Sequence, residues 1–283
     1  MRSIEFKSGN TETVRGVLFE PTAPRPHPAI IFAHGFLSSH EEFGDYPEKF
    51  CQRGYLVLAI DFRGHGASDG MRGLISEDRM VEDLKHALDF VEAQPGIDNK
   101  RIALFGHSLG GGAVLCTTAR DARVSAVVAG ATVGQLRAEL SSGELLQYRV
   151  VDRLNRIQKA LTHKSLYVPY RVSYEHIFSD PQARAAAKAK GFLQKSLPAD
   201  NIPLLLQQDA IACAQKIRVP ALIVQGEKDA VVQHTSVRAV YDTLTGEKEP
   251  YVVEGSGHSF ATDWKGAEAF EHIAAWMDKH LKS

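Results

Sequence analysis

The sequence predicts an α/β chain built on a mostly parallel sheet with helices on both faces, and three observations carry that expectation. Short runs rich in Val and Ile recur, amphipathic helical stretches separate them, and one long segment, 135–213, interrupts the alternation with helix formers. The runs are Ala29 to Ala33, Tyr55 to Ile60, Arg101 to Phe105, Val124 to Ala129, Ala221 to Gln225 and Tyr251 to Glu254. Strands covered by helices on both faces read as continuous apolar runs rather than as alternation, which is what these six show. Upstream, Ser3 to Lys7 and Val14 to Phe19 flank a Ser8-Gly9-Asn10 turn signal, so an antiparallel hairpin opens the chain and the sheet has about eight strands.

Two helices are legible from capping and spacing. Ser76, followed by the acidic Glu77 and Asp78, is an N-cap for a helix whose Met80, Val81, Leu84, Leu88 and Val91 share one face, and Pro95-Gly96 stops it. From about Trp264 to Leu281, Ala267, Phe270, Ile273, Ala274 and Met277 form a second core-facing stripe, with His272 and His280 expected on its solvated side.

Between Gln135 and Cys213 the strand rhythm gives way to stretches such as Ala183-Arg184-Ala185-Ala186-Ala187-Lys188, broken by Gly191 and Pro198. We therefore expect a core domain formed by 1–134 and 214–283 and a helical cap insertion over 135–213. The insertion carries 11 Lys+Arg against 7 Asp+Glu, a net +4 inside a chain whose formal charge is −1. That leaves two readings open: a solvated helical surface, or a lid biased toward anionic substrates.

With 33 Lys+Arg against 34 Asp+Glu, the chain lacks the basic excess that counterion release demands of a nucleic-acid binder. Cys51, Cys116 and Cys213 are odd in number and far apart, without a CxxC pair. Reduced thiols are expected, with neither a disulfide framework nor a zinc cluster. The first residues lack an apolar signal core and no run reaches the roughly 18 apolar residues of a membrane span, so a cytoplasmic protein is expected.

The chemistry concentrates at strand ends. Arg101-Ile102-Ala103-Leu104-Phe105 runs into Gly106-His107-Ser108-Leu109-Gly110, a G-x-S-x-G motif between a strand and a helix. Such a turn is sharp enough that side chains at its glycines would collide with the neighbouring strand and helix, and it leaves Ser108 at the tip beside unsatisfied helix N–H groups. A serine hydroxyl needs a base, and the base an orienting carboxylate. The strand ending at Gln225 leads into Gly226-Glu227-Lys228-Asp229, and the next into Gly255-Ser256-Gly257-His258. Ser108, Asp229 and His258 are therefore the candidate nucleophile, acid and base. Among rivals, His107 points away from Ser108, His34 and His65 sit in earlier loops, Glu227 is an exposed loop carboxylate, Asp61 braces its turn, and Asp263 is an N-cap or first-turn charge of the last helix. No His-x-x-x-His helix or Cys cluster suggests a metal, and no cofactor is expected.

With these loops, His34-Gly35-Phe36-Leu37 and Asp61-Phe62-Arg63-Gly64-His65-Gly66-Ala67-Ser68, nearly the whole chain resembles the α/β-hydrolase fold serine hydrolases, in the group of serine aminopeptidase-like, monoacylglycerol lipase-like and feruloyl esterase-like enzymes. The resemblance implies an oxyanion hole from the backbone N–H groups of Phe36 and Leu109, with the Phe36 side chain free to line an acyl pocket, and a cap where the insertion falls. It implies a Ser-His-Asp esterase acting on a small-molecule carboxylic ester through an acyl-enzyme. Thioester, amide or short-peptide, and carbon-carbon cleavage use the same machinery, a haloalkane dehalogenase would need a carboxylate at Ser108, and a non-catalytic receptor is the alternative of another class. Whether the insertion makes a homodimer contact is left open.

Overall fold

The computed structural model describes residues 1–9, 11–169, 173–191 and 195–282. Eight strands form one sheet: β1 (Arg2–Ser8), β2 (Glu12–Phe19), β3 (His27–Ala33), β4 (Leu56–Asp61), β5 (Ile97–His107), β6 (Val124–Gly130), and, after the insertion, two more at Ala221–Gly226 and Lys248–Val253. Within the insertion lie two short strands, β7 (Tyr167–Pro169) and β8 (Ser196–Pro198), so the late sheet strands are β9 and β10. The helices are α1 (Tyr46–Gln52), α2 (Glu77–Glu92), α3 (Leu109–Thr118), α4 (Leu136–Glu139), α5 (Ser142–Thr162), α6 (Tyr174–Ile177), α7 (Pro181–Lys190), α8 (Asn201–Leu205), α9 (Ala210–Ala214), α10 (His234–Thr243) and α11 (Gly266–Leu281).

The sheet order is β1-β2-β4-β3-β5-β6-β9-β10. The opening hairpin and the β2–β4 pair are antiparallel, and the other pairs are parallel. Strand order reverses between β3 and β5, and in open α/β sheets that switch point, at the carboxyl ends of the strands, is where a cleft forms. Alternation along β3 sorts its side chains into two apolar layers. Ile31 and Ala33 pack with residues of α2, α3, α9 and α10, whereas Ile30 and Phe32 pack with Tyr46 and Phe50 of α1 and Phe270 and Ile273 of α11.

The expected α2 cap is present, with the Ser76 hydroxyl accepting the Arg79 N–H. Three expectations are corrected. Asp263 does not cap α11, which begins at Gly266 after Lys265; its buried carboxylate turns inward instead. His280 is not solvated: its ring packs on Trp276 with centroids 4.5 Å apart, while His272 stacks on Tyr251 and pairs with Glu249. Cys116 and Cys213 are not free thiols but form a disulfide between α3 and α9. They lie 97 positions apart with no spacing signal, and only folding brings their Cα atoms to 4.9 Å. Cys51 remains a free thiol.

Among the described residues, the segment between β6 and β9 holds the helices α4 to α9 and the antiparallel β7–β8 pair. Its longest helix, α5, starts with a capping box between Ser141 and Glu144. Tyr148 and Val151 of α5 face a cavity over the sheet, while Leu146, Val150, Leu154, Ile157 and Leu161 lie exposed on its outer side. Among the described residues, no helix is long and apolar enough to cross a membrane.

Candidate active site

Loops at the carboxyl ends of β3, β5, β9 and β10 each contribute residues to one cavity. Ser108 occupies the turn from β5 to α3 with φ 54° and ψ −118°, a strained conformation for a residue with a Cβ. The strain is enforced by close packing. A Cβ on Gly106 would lie 2.2 Å from the Gly110 carbonyl oxygen, and one on Gly110 would lie 2.2 Å from that of Ala33. The Ser108 N–H donates to the Gly130 carbonyl at 2.7 Å, tying the turn to the end of β6.

His258 and Asp229, the candidate base and acid, are in direct contact. His258 Nδ1 lies 2.9 Å from Asp229 Oδ2, and both side chains are nearly inaccessible to solvent. The other carboxylate oxygen accepts the N–H groups of Val231 and Val232 at 2.8 and 3.0 Å. Burial opposes charge on Asp229, but the His258 hydrogen bond and charge and these two amides together hold its carboxyl below the usual range.

Ser108 and His258 line a cavity of about 620 Å³ together with Phe36 and Leu109, the two residues expected to supply oxyanion amides. The roof comes from the insertion: Tyr148, Val151, Val168, Ile177, Phe178, Leu197, Ile202 and Leu205 are among its lining residues. Among the described lining residues there is no Lys or Arg, and Arg171 of the insertion lies outside the described residues. Arg149 and Arg153, for example, are exposed on α5.

The rivals take bracing roles. His34 Nδ1 bonds its neighbour's carbonyl at Gly35, and its Nε2 accepts the Phe62 N–H, so the imidazole is neutral with its hydrogen on Nδ1; burial lowers its pKa accordingly. Asp61 accepts the N–H groups of His40 and Ala67 and pairs with the His40 ring. Glu227 is an exposed carboxylate that accepts the Gly255 N–H. One group of three metal-type donors, Glu77, Cys116 and Cys213, gathers within 4.8 Å among the described residues, and its two sulfurs are bonded to each other.

Two carboxylates at the site have roles that the sequence does not reveal. Asp263 accepts four N–H groups: Gly257 at 2.7 Å in the loop carrying His258, Ser179 at 2.9 Å and Asp180 at 2.7 Å in the insertion, and its neighbour Trp264 at 3.1 Å. The Ser259 N–H also donates to the Ile177 carbonyl, so the base loop and the roof are joined directly. Glu42 lies in the 3₁₀ turn after β3, where no sequence motif singles it out. Its carboxylate accepts the Gly35 N–H at 2.6 Å and faces His107 Nδ1 at 3.0 Å.

An eight-stranded, mostly parallel sheet with a serine elbow after its fifth strand is the α/β-hydrolase fold. The chain belongs to the serine aminopeptidase S33 family, which matches residues 24–265. It is 30% identical over 271 residues to an uncharacterized 31.7 kDa protein of Escherichia coli, covering 90% of this chain and 92% of that one. It is 27% identical over 281 residues to the monoacylglycerol lipase of Mycolicibacterium smegmatis, covering 96% and 95%. It is also 27% identical over 271 residues to the polyketide transferase GrgF of Penicillium, covering 92% and 89%. The solved α/β hydrolase GrgF from Penicillium sp. sh18 superposes with a TM-score of 0.83 at 23% identity, covering 100% of this chain and 99% of that one, a likeness of fold.

Proposed function

We propose that this hydrolase cleaves a carboxylic ester with an apolar acyl group, by acyl transfer through Ser108. The observation that carries the reading is the pairing of a strained, cavity-facing Ser108 with a buried His258–Asp229 couple in the same apolar chamber. Ser108 Oγ attacks the ester carbonyl as His258 takes its proton, and Asp229 fixes the imidazole with its hydrogen on Nδ1 and offsets the charge that forms. The backbone N–H groups of Phe36 and Leu109 receive the oxyanion. His258 then protonates the departing alcohol, and water activated by the same ring releases the acid.

Segment 135–213 acts in this reading as a cap over a core of 1–134 and 214–283. The acyl group lies against cap side chains such as Val151, Ile177 and Leu205, and this mainly apolar lining favours an apolar acyl group. A second reading, transfer of the acyl group to an acceptor alcohol instead of water, draws on the likeness to a polyketide transferase.

The test is a panel of p-nitrophenyl esters of increasing acyl length, thioesters and aminoacyl amides, with and without an acceptor alcohol, plus labelling by a fluorophosphonate. Ser108→Ala is expected to abolish labelling and lower turnover on the order of 10⁶-fold while the protein stays folded. Unchanged turnover would sink the reading, and ester products formed only with the alcohol present would favour transfer.

A further inference from the structure

An unbroken hydrogen-bonded chain runs beneath the site from the oxyanion loop to the base. It starts at the Gly35 N–H, which donates to Glu42 Oε2 at 2.6 Å. Glu42 Oε1 faces His107 Nδ1 at 3.0 Å, and His107 Nε2 lies 2.9 Å from the His258 carbonyl oxygen. Each member is pinned by its place in the chain. Gly35 precedes Phe36, His107 precedes Ser108, and the last acceptor is the backbone of His258 itself. Gly35 also packs so close to the nucleophile that a Cβ there would lie 3.0 Å from the Ser108 Cβ.

The protons on this chain can be counted. A carbonyl oxygen only accepts, so His107 Nε2 carries a hydrogen. Were Nδ1 bare, its lone pair would point at a carboxylate oxygen, so one further proton must lie between Nδ1 and Glu42 Oε1. Both side chains are nearly buried, which makes an unmet partner in this chain costly. Burial opposes both charges, yet each partner favours the other's charged form, lowering the Glu42 pKa and raising that of His107. The ring of His107 also sits 4.7 Å from that of His258, centroid to centroid.

We propose that Glu42 and His107 are a positioning pair that shares one proton and sets the oxyanion loop at Gly35–Phe36 in register with the backbone of His258. Glu42 borders the cavity, His107 is not among its described lining residues, and in this proposal neither group exchanges bonds with the substrate. Their effect falls on where the Phe36 amide and the His258 ring stand relative to Ser108, and small misplacements of such groups cost rate rather than ground-state affinity. The proposal rests on the Ser108–His258 reading above.

The conservative variant separates hydrogen bonding from charge. In Glu42→Gln, the amide oxygen still accepts from Gly35 and the amide N–H donates to Nδ1 of a neutral His107, whose Nε2–H still reaches His258. The chain then survives without the ion pair. Glu42→Ala breaks it. The experiment measures kcat and KM for a p-nitrophenyl ester, and the rate of fluorophosphonate labelling, in the full-length protein. Glu42→Ala is expected to lower kcat by about 100-fold with KM changed by less than about 3-fold, and Glu42→Gln to recover to within about 5-fold of the unmodified protein. If Glu42→Ala does not fold, His107→Phe, which keeps the ring but loses both hydrogen bonds, carries the same test and the same expected loss.

Wild-type kcat in the chain-breaking variant, or a Gln variant as slow as the Ala variant, overturns the positioning pair. Absence of Ser108 labelling in the unmodified protein instead overturns the catalytic reading on which it rests, so the two failures are distinct.

Discussion

The sheet and the segment inserted between β6 and β9 spend their apolar residues in opposite ways. Strands β3, β4 and β9 are buried at every position, sealed between two helical layers. Helix α5, with at least three times as many residues as any of these strands, fully buries only Asn155, and five large aliphatic side chains remain on its outer face. Its inner face lines a chamber rather than packing against a core. The sheet strands are held by dense packing on both faces, whereas the insertion buries little apolar surface, and regions with sparse apolar burial lie at the low end of local stability.

That contrast can be broken or sharpened by measurement, the largest effect concerning the bond that joins the two regions. The Cys116–Cys213 bridge closes a loop that contains the whole insertion. Replacing Cys213 by Ala is expected to lower unfolding stability by about 4–5 kcal/mol on the chain-entropy account, measured by urea denaturation. A change below about 1 kcal/mol would mean that the insertion is held by its other contacts alone.

Next come paired truncations. Leu222→Ala, wholly buried in β9, is expected to cost about 2–5 kcal/mol. Leu154→Ser, on the exposed face of α5, is expected to change stability by less than about 0.5 kcal/mol. Comparable losses would show that α5's outer face is covered in solution.

The smallest effect is a pH dependence that belongs to the core. Burial keeps the His65 imidazole neutral and pulls its pKa from 6.5 down to about 3. The unfolded chain therefore takes up a proton that the folded chain refuses between those values. This contribution to stability is complete above about pH 6.5 and is lost as the pH falls toward 3. The urea midpoint should drop between about pH 7 and pH 4 in the unmodified protein and drop less in His65→Gln. Equal slopes would assign the acid sensitivity to other groups.

Some of the site was legible because its signals are local. A glycine-bracketed serine between a strand and a helix, and an aspartate and a histidine just past two late strands, are written within a few residues of where they act. The structure puts His258 Nδ1 and Asp229 Oδ2 2.9 Å apart and has Ser108 and His258 line the same chamber. Asp263 was misread for the opposite reason. A carboxylate near a helix start looks like a cap, yet its partners are the backbone of residues 179 and 180, more than 80 positions away, and of the base loop.

The sequence by itself determined the strand runs, the elbow and the order of the catalytic candidates, because hydrophobic periodicity and turn chemistry act between near neighbours. Only the tertiary structure decided the disulfide, the mainly apolar lining of the chamber's described walls, and the chain from Gly35 through Glu42 and His107 to His258. Those features join residues brought together by sheet order and cap placement, and such distances are set by packing of the whole fold, which no local pattern encodes.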